Sequence, residues 1–244
     1  MSLEYEDEAI VLSARLHGET GAVVHVLTRR HGVQAAHIAG GASRRMKPLL
    51  QPGSTVTFRY RARSSDQLGA ATIEADGQGP DLLDDPVGLL GLQCAALMTR
   101  QALPERERHE GAYHAFRALL SAFAIPEIWP VIYVRYEAGL LEELGYGLDL
   151  SACAVTGSRD DLCYVSPKSA RAVSRDSGAP YKDKLLPLPP FLLSSQGGIS
   201  EGDVANGLKL TGFFLEQHVF HPHNKPLPEI RERLTEALKE AGLG

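Results

Sequence analysis

Gln51-Pro52-Gly53-Ser54-Thr55-Val56-Thr57-Phe58-Arg59-Tyr60-Arg61-Ala62-Arg63 joins a turn to an alternating apolar and basic strand. Pro-Gly is turn chemistry, because proline presets φ and glycine accepts a positive one. The ten residues that follow alternate. Side chains of a strand point to opposite faces in turn, so Thr55, Thr57, Arg59, Arg61 and Arg63 share one face. Val56, Phe58 and Tyr60 share the other. A strand with an apolar face and an arginine row implies a sheet closed around a core, its cations turned to solvent. Members of the row lie about 6.6 Å apart, twice the strand rise.

Upstream, the same grammar repeats. Ala9-Ile10-Val11-Leu12-Ser13-Ala14-Arg15-Leu16 reads as a first strand, and Gly18-Glu19-Thr20-Gly21 as a turn. Ala22–Thr28 and Val33–Ile38 read as the second and third strands, with Arg29-Arg30-His31-Gly32 turning the chain between them. Gly69–Ala75 supplies a fifth. Five short strands with frequent turns predict a small barrel or sandwich.

Beyond Gly77-Gln78-Gly79-Pro80 the period changes to that of helices. Helices are predicted over Pro86–Leu103, Glu107–Phe123, from Pro126 to before Gly145, from a capping box at Ser200-Glu201-Gly202-Asp203 to about Val219, and from Leu227-Pro228 to Ala241. Residues 146–190 read as a long irregular stretch. The domains are therefore predicted as a β-barrel over 1–79 and a helical domain over 80–244.

Charge singles out the barrel. The chain carries 25 Lys+Arg against 30 Asp+Glu, a net of −5. Yet between Arg29 and Arg63 stand eight cations and no acid: Arg29, Arg30, Arg44, Arg45, Lys47, Arg59, Arg61 and Arg63. A local positive patch in an acidic molecule attracts phosphates and steers polyanions; an ordinary solvated basic surface is the bland reading. Gly40-Gly41-Ala42-Ser43-Arg44-Arg45-Met46-Lys47 reads as a flexible charged loop able to follow a phosphate chain. It lacks the G-x-x-x-x-G-K-[ST] spacing of a P-loop. Together with the arginine row it is similar to the charged groove by which OB-folds hold single strands. Phe58 and Tyr60 fall on the inner face, which assigns them to the core rather than to base stacking.

Other chemistry is thin. Three cysteines, an odd number, make no disulfide framework and suit a reduced cytoplasmic protein. Cys153 has Thr156 where a CxxC would place its partner, and Cys163 stands apart, so no zinc is expected. His218, His221 and His223 lie close in sequence, but Pro222 interrupts them and no HExxH accompanies them. Helix capping is their simpler role; a metal-dependent enzyme built on them is a rival reading. No nucleophile motif stands out. The acidic N-terminus lacks an apolar core, and no apolar run approaches the roughly 20 residues of a membrane span. No catalysis, cofactor or membrane contact is expected.

The whole pattern resembles the RecO family of bacterial DNA repair and recombination mediators. The resemblance rests on Glu8-Ala9-Ile10-Val11-Leu12, Gly18-Glu19, Leu27-Thr28-Arg29-Arg30-His31-Gly32, Gly40–Arg45, Leu50-Gln51-Pro52-Gly53 and His221-Pro222-His223-Asn224-Lys225-Pro226-Leu227. It implies an α+β architecture: an N-terminal five-stranded OB-fold barrel, then a mainly α-helical domain with an irregular insertion. It implies binding of single- and double-stranded DNA, annealing of complementary strands, and loading of RecA with RecR onto strands coated by single-stranded DNA-binding protein (SSB). DNA binding would fall on Arg44, Arg45 and Lys47, then on Arg29, Arg30, Arg59, Arg61 and Arg63. About six neutralised phosphates would give a salt slope of roughly −4. The SSB tail, acidic and apolar, would be received by the helical domain, with Arg100 and Lys209 as candidates. Some members carry a four-cysteine zinc module after the third helix; here only Cys153 matches it, so zinc is not carried over. The expected location is cytoplasmic, with the nucleoid. Rival readings are a general OB-fold nucleic-acid binder or RNA chaperone, and an adaptor that binds RecR alone.

Overall fold

A computed structural model describes residues 3–64, 67–77, 79–194 and 196–244. Met1, Ser2 and the linker residue Gln78 lie outside the described residues. The chain forms two compact units, Met1–Ala124 and Ile125–Gly244. The predicted division at 79 separates strands from helices, whereas the compact units gather the first two helices with the barrel.

In the first unit, β1 (Leu3–His17), β2 (Gly21–Thr28), β3 (Gly32–Ile38), β4 (Thr55–Ala62) and β5 (Gly69–Ala75) close a barrel in the order β1-β2-β3-β5-β4. All pairings are antiparallel except β3 with β5. Of the barrel or sandwich that the strand pattern allows, the chain forms the five-stranded barrel, the OB-type arrangement that the resemblance implies, with one difference in its strands. β1 begins at Leu3 rather than Ala9. Its first half pairs with β4 (Leu3 opposite Ala62 through Ile10 opposite Thr55), and its second half pairs with β2. An irregularity between Val11 and Ser13 bends the strand between the two duties. Acids are poor strand formers in isolation, but Glu4 and Glu6 stand opposite Arg61 and Arg59, and opposite charges across a strand pair are favourable.

The alternation in β4 holds from Val56 onward, whereas Thr55, expected on the outer face, is buried, its hydroxyl donating to the Asp76 carbonyl. Val56, Phe58 and Tyr60 are buried with Val11, Val24, Val26 and Ile38 in the barrel core, while Arg59 and Arg61 are exposed. Burying a side chain of this size contributes about 1.5–3 kcal/mol. α1 (Pro86–Ala102) starts at Asp85, whose carboxylate accepts the Gly88 N–H at 2.8 Å. α2 (Glu110–Ala122) starts three residues later than predicted. The intervening segment is tied to β3 instead, the Arg106 N–H donating to the Val33 carbonyl at 2.9 Å.

In the second unit, α3 spans Trp129–Glu143 with Pro130 in its first turn, so the helix starts after Pro126 rather than around it. The stretch 146–190 is less irregular than predicted. It holds a three-stranded sheet, order β7-β6-β8, made of β6 (Leu162–Val165), β7 (Ala172–Ser174) and β8 (Leu186–Pro187), with one-turn helices α4 (Arg175–Gly178) and α5 (Pro190–Leu193). Strands of two to four residues leave almost no period to read. α6 (Asp203–Phe214) runs into a π-helical turn, Leu215–Phe220. Half of the predicted capping box forms, the Asp203 carboxylate accepting the Ser200 N–H at 2.8 Å, though the helix opens at Asp203. α7 is Glu229–Glu240. No helix of the described residues is long and apolar enough to cross a membrane.

Candidate nucleic-acid interface

The loop between β3 and β4 is a chain of tight turns, not the flexible segment predicted. Met46 and Lys47 N–H groups donate to the Ser43 carbonyl (3.1 and 3.3 Å), and Leu50 N–H to that of Met46 (3.1 Å). Met46 and Leu49 pack against the barrel core and Leu50 is buried in it. Gly53, at φ +84, ends the loop where an added Cβ would lie 3.0 Å from Leu92 and 3.2 Å from Leu120, a conformation that suits the Pro-Gly pair. Arg44, Arg45 and Lys47 are thereby held exposed on an ordered platform. Apolar anchors alternate with cations, so one short segment is both fixed and charged. Among the described residues, none of these three has an acidic partner. Arg63, just past the end of β4, has none either, and is exposed.

The other four cations are committed. Arg59 donates through Nε to Glu6 at 2.5 Å and through Nη1 to Glu74 at 2.7 Å. The hydrogen bonds to Glu74 and Glu6 raise its pKa. Arg61 approaches Glu4 at 3.5 Å. Arg29 lies 3.2 Å from Glu110 and 3.7 Å from Glu8. Glu110 also meets Arg108, and the hydrogen bonds from Arg108 and Arg29 hold its pKa down at about 2. Arg30 is structural. Asp7 points inward from β1 with its side chain only 2% exposed, and it accepts the Arg30 N–H (2.8 Å) and Arg30 Nε (3.1 Å). His31 Nδ1 lies 2.8 Å from the same carboxylate, and the His31 ring stacks on Tyr5 at 3.7 Å. A carboxylate in a barrel wall must be satisfied, and here the turn between β2 and β3 folds back to do it.

Sequence reasoning missed these counter-charges. The signal was available: Glu4, Glu6 and Glu8 alternate with the same period of two as Arg59, Arg61 and Arg63. Between the paired residues runs a groove of about 550 Å³, lined by Tyr5, Tyr60 and Ala71 and bordered by Glu4, Glu6, Arg59 and Arg61. Ala39, where the basic loop begins, lines it as well. Phe58 and Tyr60 are core residues, 0% and 2% exposed, in keeping with the inner-face assignment.

The remaining candidates are dispersed. Arg100, in α1, donates to Ser13 Oγ at 3.2 Å. Lys209 is exposed on α6. The two belong to different compact units. His218 is sandwiched between Tyr146 and Phe214, ring centroids 5.1 and 5.9 Å away. His221 lies 3.4 Å from Glu216, and His223 is exposed. Among the described residues no three His, Cys, Asp or Glu side chains converge as metal ligands. Cys153 is buried, and its sulfur accepts the Ser174 N–H and Oγ–H, each at 3.3 Å. Ser174 Oγ in turn reaches Ser177 Oγ at 3.2 Å. Hydrogen bonds therefore join Cys153 to the β7 end of the small sheet. Cys163 is half-buried and unpaired as a disulfide.

Comparison with known proteins gives two family matches that together cover most of the chain. The family described as "Recombination protein O N terminal" matches residues 1–74, and "Recombination protein O C terminal" matches 83–227. The chain is 64% identical over 241 residues to the DNA repair protein RecO of Caulobacter sp. (strain K31), covering 98% of this chain and 99% of that one. It is 61% identical over 241 residues to RecO of Phenylobacterium zucineum (strain HLK1), with 98% and 99% covered. It is 46% identical over 242 residues to RecO of Rhodospirillum centenum (strain ATCC 51521 / SW), with 98% and 96% covered.

Proposed function

We propose, from the premise that this chain belongs to the RecO family of DNA repair proteins, that it is a non-catalytic recombination mediator. It binds single- and double-stranded DNA through the phosphate backbone, anneals complementary strands, and with RecR assists RecA onto SSB-coated DNA. The observation that carries this reading is the ordered loop presenting Arg44, Arg45 and Lys47 with no acidic partner among the described residues. Cations without counter-ions are the ones that release no internal salt bridge when they meet a phosphate. Cations fixed on turns also lose little entropy on binding. The contacts are to phosphate, so the binding is blind to sequence. That suits a protein which must let paired strands go.

Arg63 joins these three as the fourth of the eight cations that has no acidic partner among the described residues. Four phosphate contacts on a single strand predict a slope of log K against log salt of roughly −3. This is shallower than the roughly −4 expected for six contacts, because Arg29, Arg30, Arg59 and Arg61 start from ion pairs. In this scheme the barrel of residues 1–79 is the DNA-binding module and 80–244 the protein-binding one. Arg100 and Lys209 are the candidates for meeting an acidic SSB tail. Fluorescence anisotropy of an oligo-dT strand across a salt series tests the scheme. A slope near −3 supports it, and an affinity independent of salt contradicts it.

A further inference from the structure

We propose that Glu4, Glu6 and Glu74 act as internal stand-ins for phosphate, holding Arg61 and Arg59 in reserve and thereby capping the affinity for DNA. The inference rests on the DNA-binding reading above and concerns the regulation of that same surface.

Three observations carry it. First, the arginines are placed by the alternation of β4 on the outer face of the barrel, where a polyanion could reach them: Arg59 is 48% exposed and Arg61 75%. Second, their partners are equally exposed, Glu4 at 66%, Glu6 at 58% and Glu74 at 63%. Exposed ion pairs of this kind are screened by water and salt and add little net stability. Each pair favours its own cross-strand register only slightly, so little of the barrel's stability depends on it. The barrel has its core of Val11, Val24, Val26, Phe58 and Tyr60 for that. Third, the carboxylates come from both neighbours of β4: Glu6 stands opposite Arg59 on β1, and Glu74 on β5 reaches the same guanidinium. One arginine flanked by a carboxylate on each side is matched as a phosphodiester oxygen pair would match it. A strand of DNA laid on this face must displace those carboxylates and also meets their charge.

The consequence is a site with two levels of affinity. Arg44, Arg45, Lys47 and Arg63 bind at once. Arg59 and Arg61 are recruited only when DNA or a partner displaces the glutamates. A protein that passes strands on benefits from such a ceiling.

The test is the variant Glu4→Gln/Glu6→Gln/Glu74→Gln, which keeps side-chain size and hydrogen-bonding while removing the counter-charge. Binding of an oligo-dT strand is measured from about 50 to about 200 mM salt, the range over which phosphate contacts are separated from other terms. Two added contacts at about 0.7 each steepen the slope by about 1.4, so the variant's advantage over wild type shrinks about sevenfold across that range. Adding Arg59→Gln/Arg61→Gln to the triple variant returns the slope to the wild-type value. A control, Glu232→Gln/Glu236→Gln/Glu240→Gln on α7, changes net charge equally and leaves the slope alone. An unchanged slope in the triple variant overturns the proposal, as does an equal gain in the control. Loss of binding by Arg59→Gln/Arg61→Gln in the wild-type background, as large as that of a loop variant, overturns it too, since the pair would then be primary contacts. The underlying reading fails separately: Arg44→Glu/Arg45→Glu/Lys47→Glu would bind as wild type.

Discussion

Glu137 of α3 and Arg231 of α7 form a two-pronged ion pair inside the second unit, 2.8 Å at each prong, with Glu137 fully buried. Thr211 of α6 donates to the same carboxylate, and Tyr133 does so one turn earlier in α3. Arg231 also donates to the Leu208 carbonyl. Gly212 makes room for the guanidinium, since a Cβ there would lie 2.6 Å from Arg231 Nη1. One charged network thus ties three helices. Removing one member of a buried pair strands the other, so Arg231→Met should cost about 3–5 kcal/mol. Replacing both partners, Glu137→Leu/Arg231→Met, should recover most of that loss. Urea unfolding midpoints of the two variants check the difference.

Asp7 organises the turn between β2 and β3 in the first unit. Asp7→Ala removes charge-assisted bonds from Arg30 and His31 and should cost roughly 1.5–3 kcal/mol. Amide exchange should accelerate at Arg30 and His31 before it does in β4. Uniform acceleration across the barrel would contradict the local role.

Two glycines of similar conformation should respond differently to alanine. Gly40 has φ +69 with open space around it, so Gly40→Ala carries only the left-handed penalty of about 1–2 kcal/mol. Gly32 has φ +68, and a Cβ there would fall 1.6 Å from the Glu107 carbonyl oxygen. Backbone must move to admit it. Thermal melting should therefore show Gly32→Ala well below Gly40→Ala.

Cys153 should titrate apart from the other thiols. Burial acts to raise its pKa, but hydrogen bonds from Ser174 and Thr156 outweigh burial and hold it down at about 5. Burial raises that of Cys163. In Cys94→Ser/Cys163→Ser, thiolate absorbance should rise with a midpoint well below the ordinary value of 9.0. Adding Ser174→Ala should shift the midpoint upward. Because the folded value lies below the unfolded one, this thiol's contribution to stability is full above pH 9.0 and is lost as pH falls through about 5.

The barrel was legible where one face of a strand is buried, because a period of two then has a physical cause. Val56, Phe58 and Tyr60 against Arg59 and Arg61 is the plain case. What stayed hidden was set by neighbours distant in sequence. Arg59 and Glu6 are 53 residues apart, and a count of charge along the chain sees the cluster but not its neutralisation. The order of the basic loop was hidden for another reason. Met46, Leu49 and Leu50 look like scattered apolar residues until the barrel end they cover is present. In the second unit, the small sheet rests on hydrogen bonds to Cys153 and on strands too short to show a pattern.

Whether the basic loop is the DNA site is decided by annealing of complementary DNA strands coated with SSB, comparing wild type with Arg44→Glu/Arg45→Glu/Lys47→Glu after thermal melting shows both folded. Wild type should accelerate annealing, and the variant should do so at least about tenfold less. Equal acceleration by both proteins would remove the loop as the DNA site, and acceleration by neither would contradict the mediator role itself.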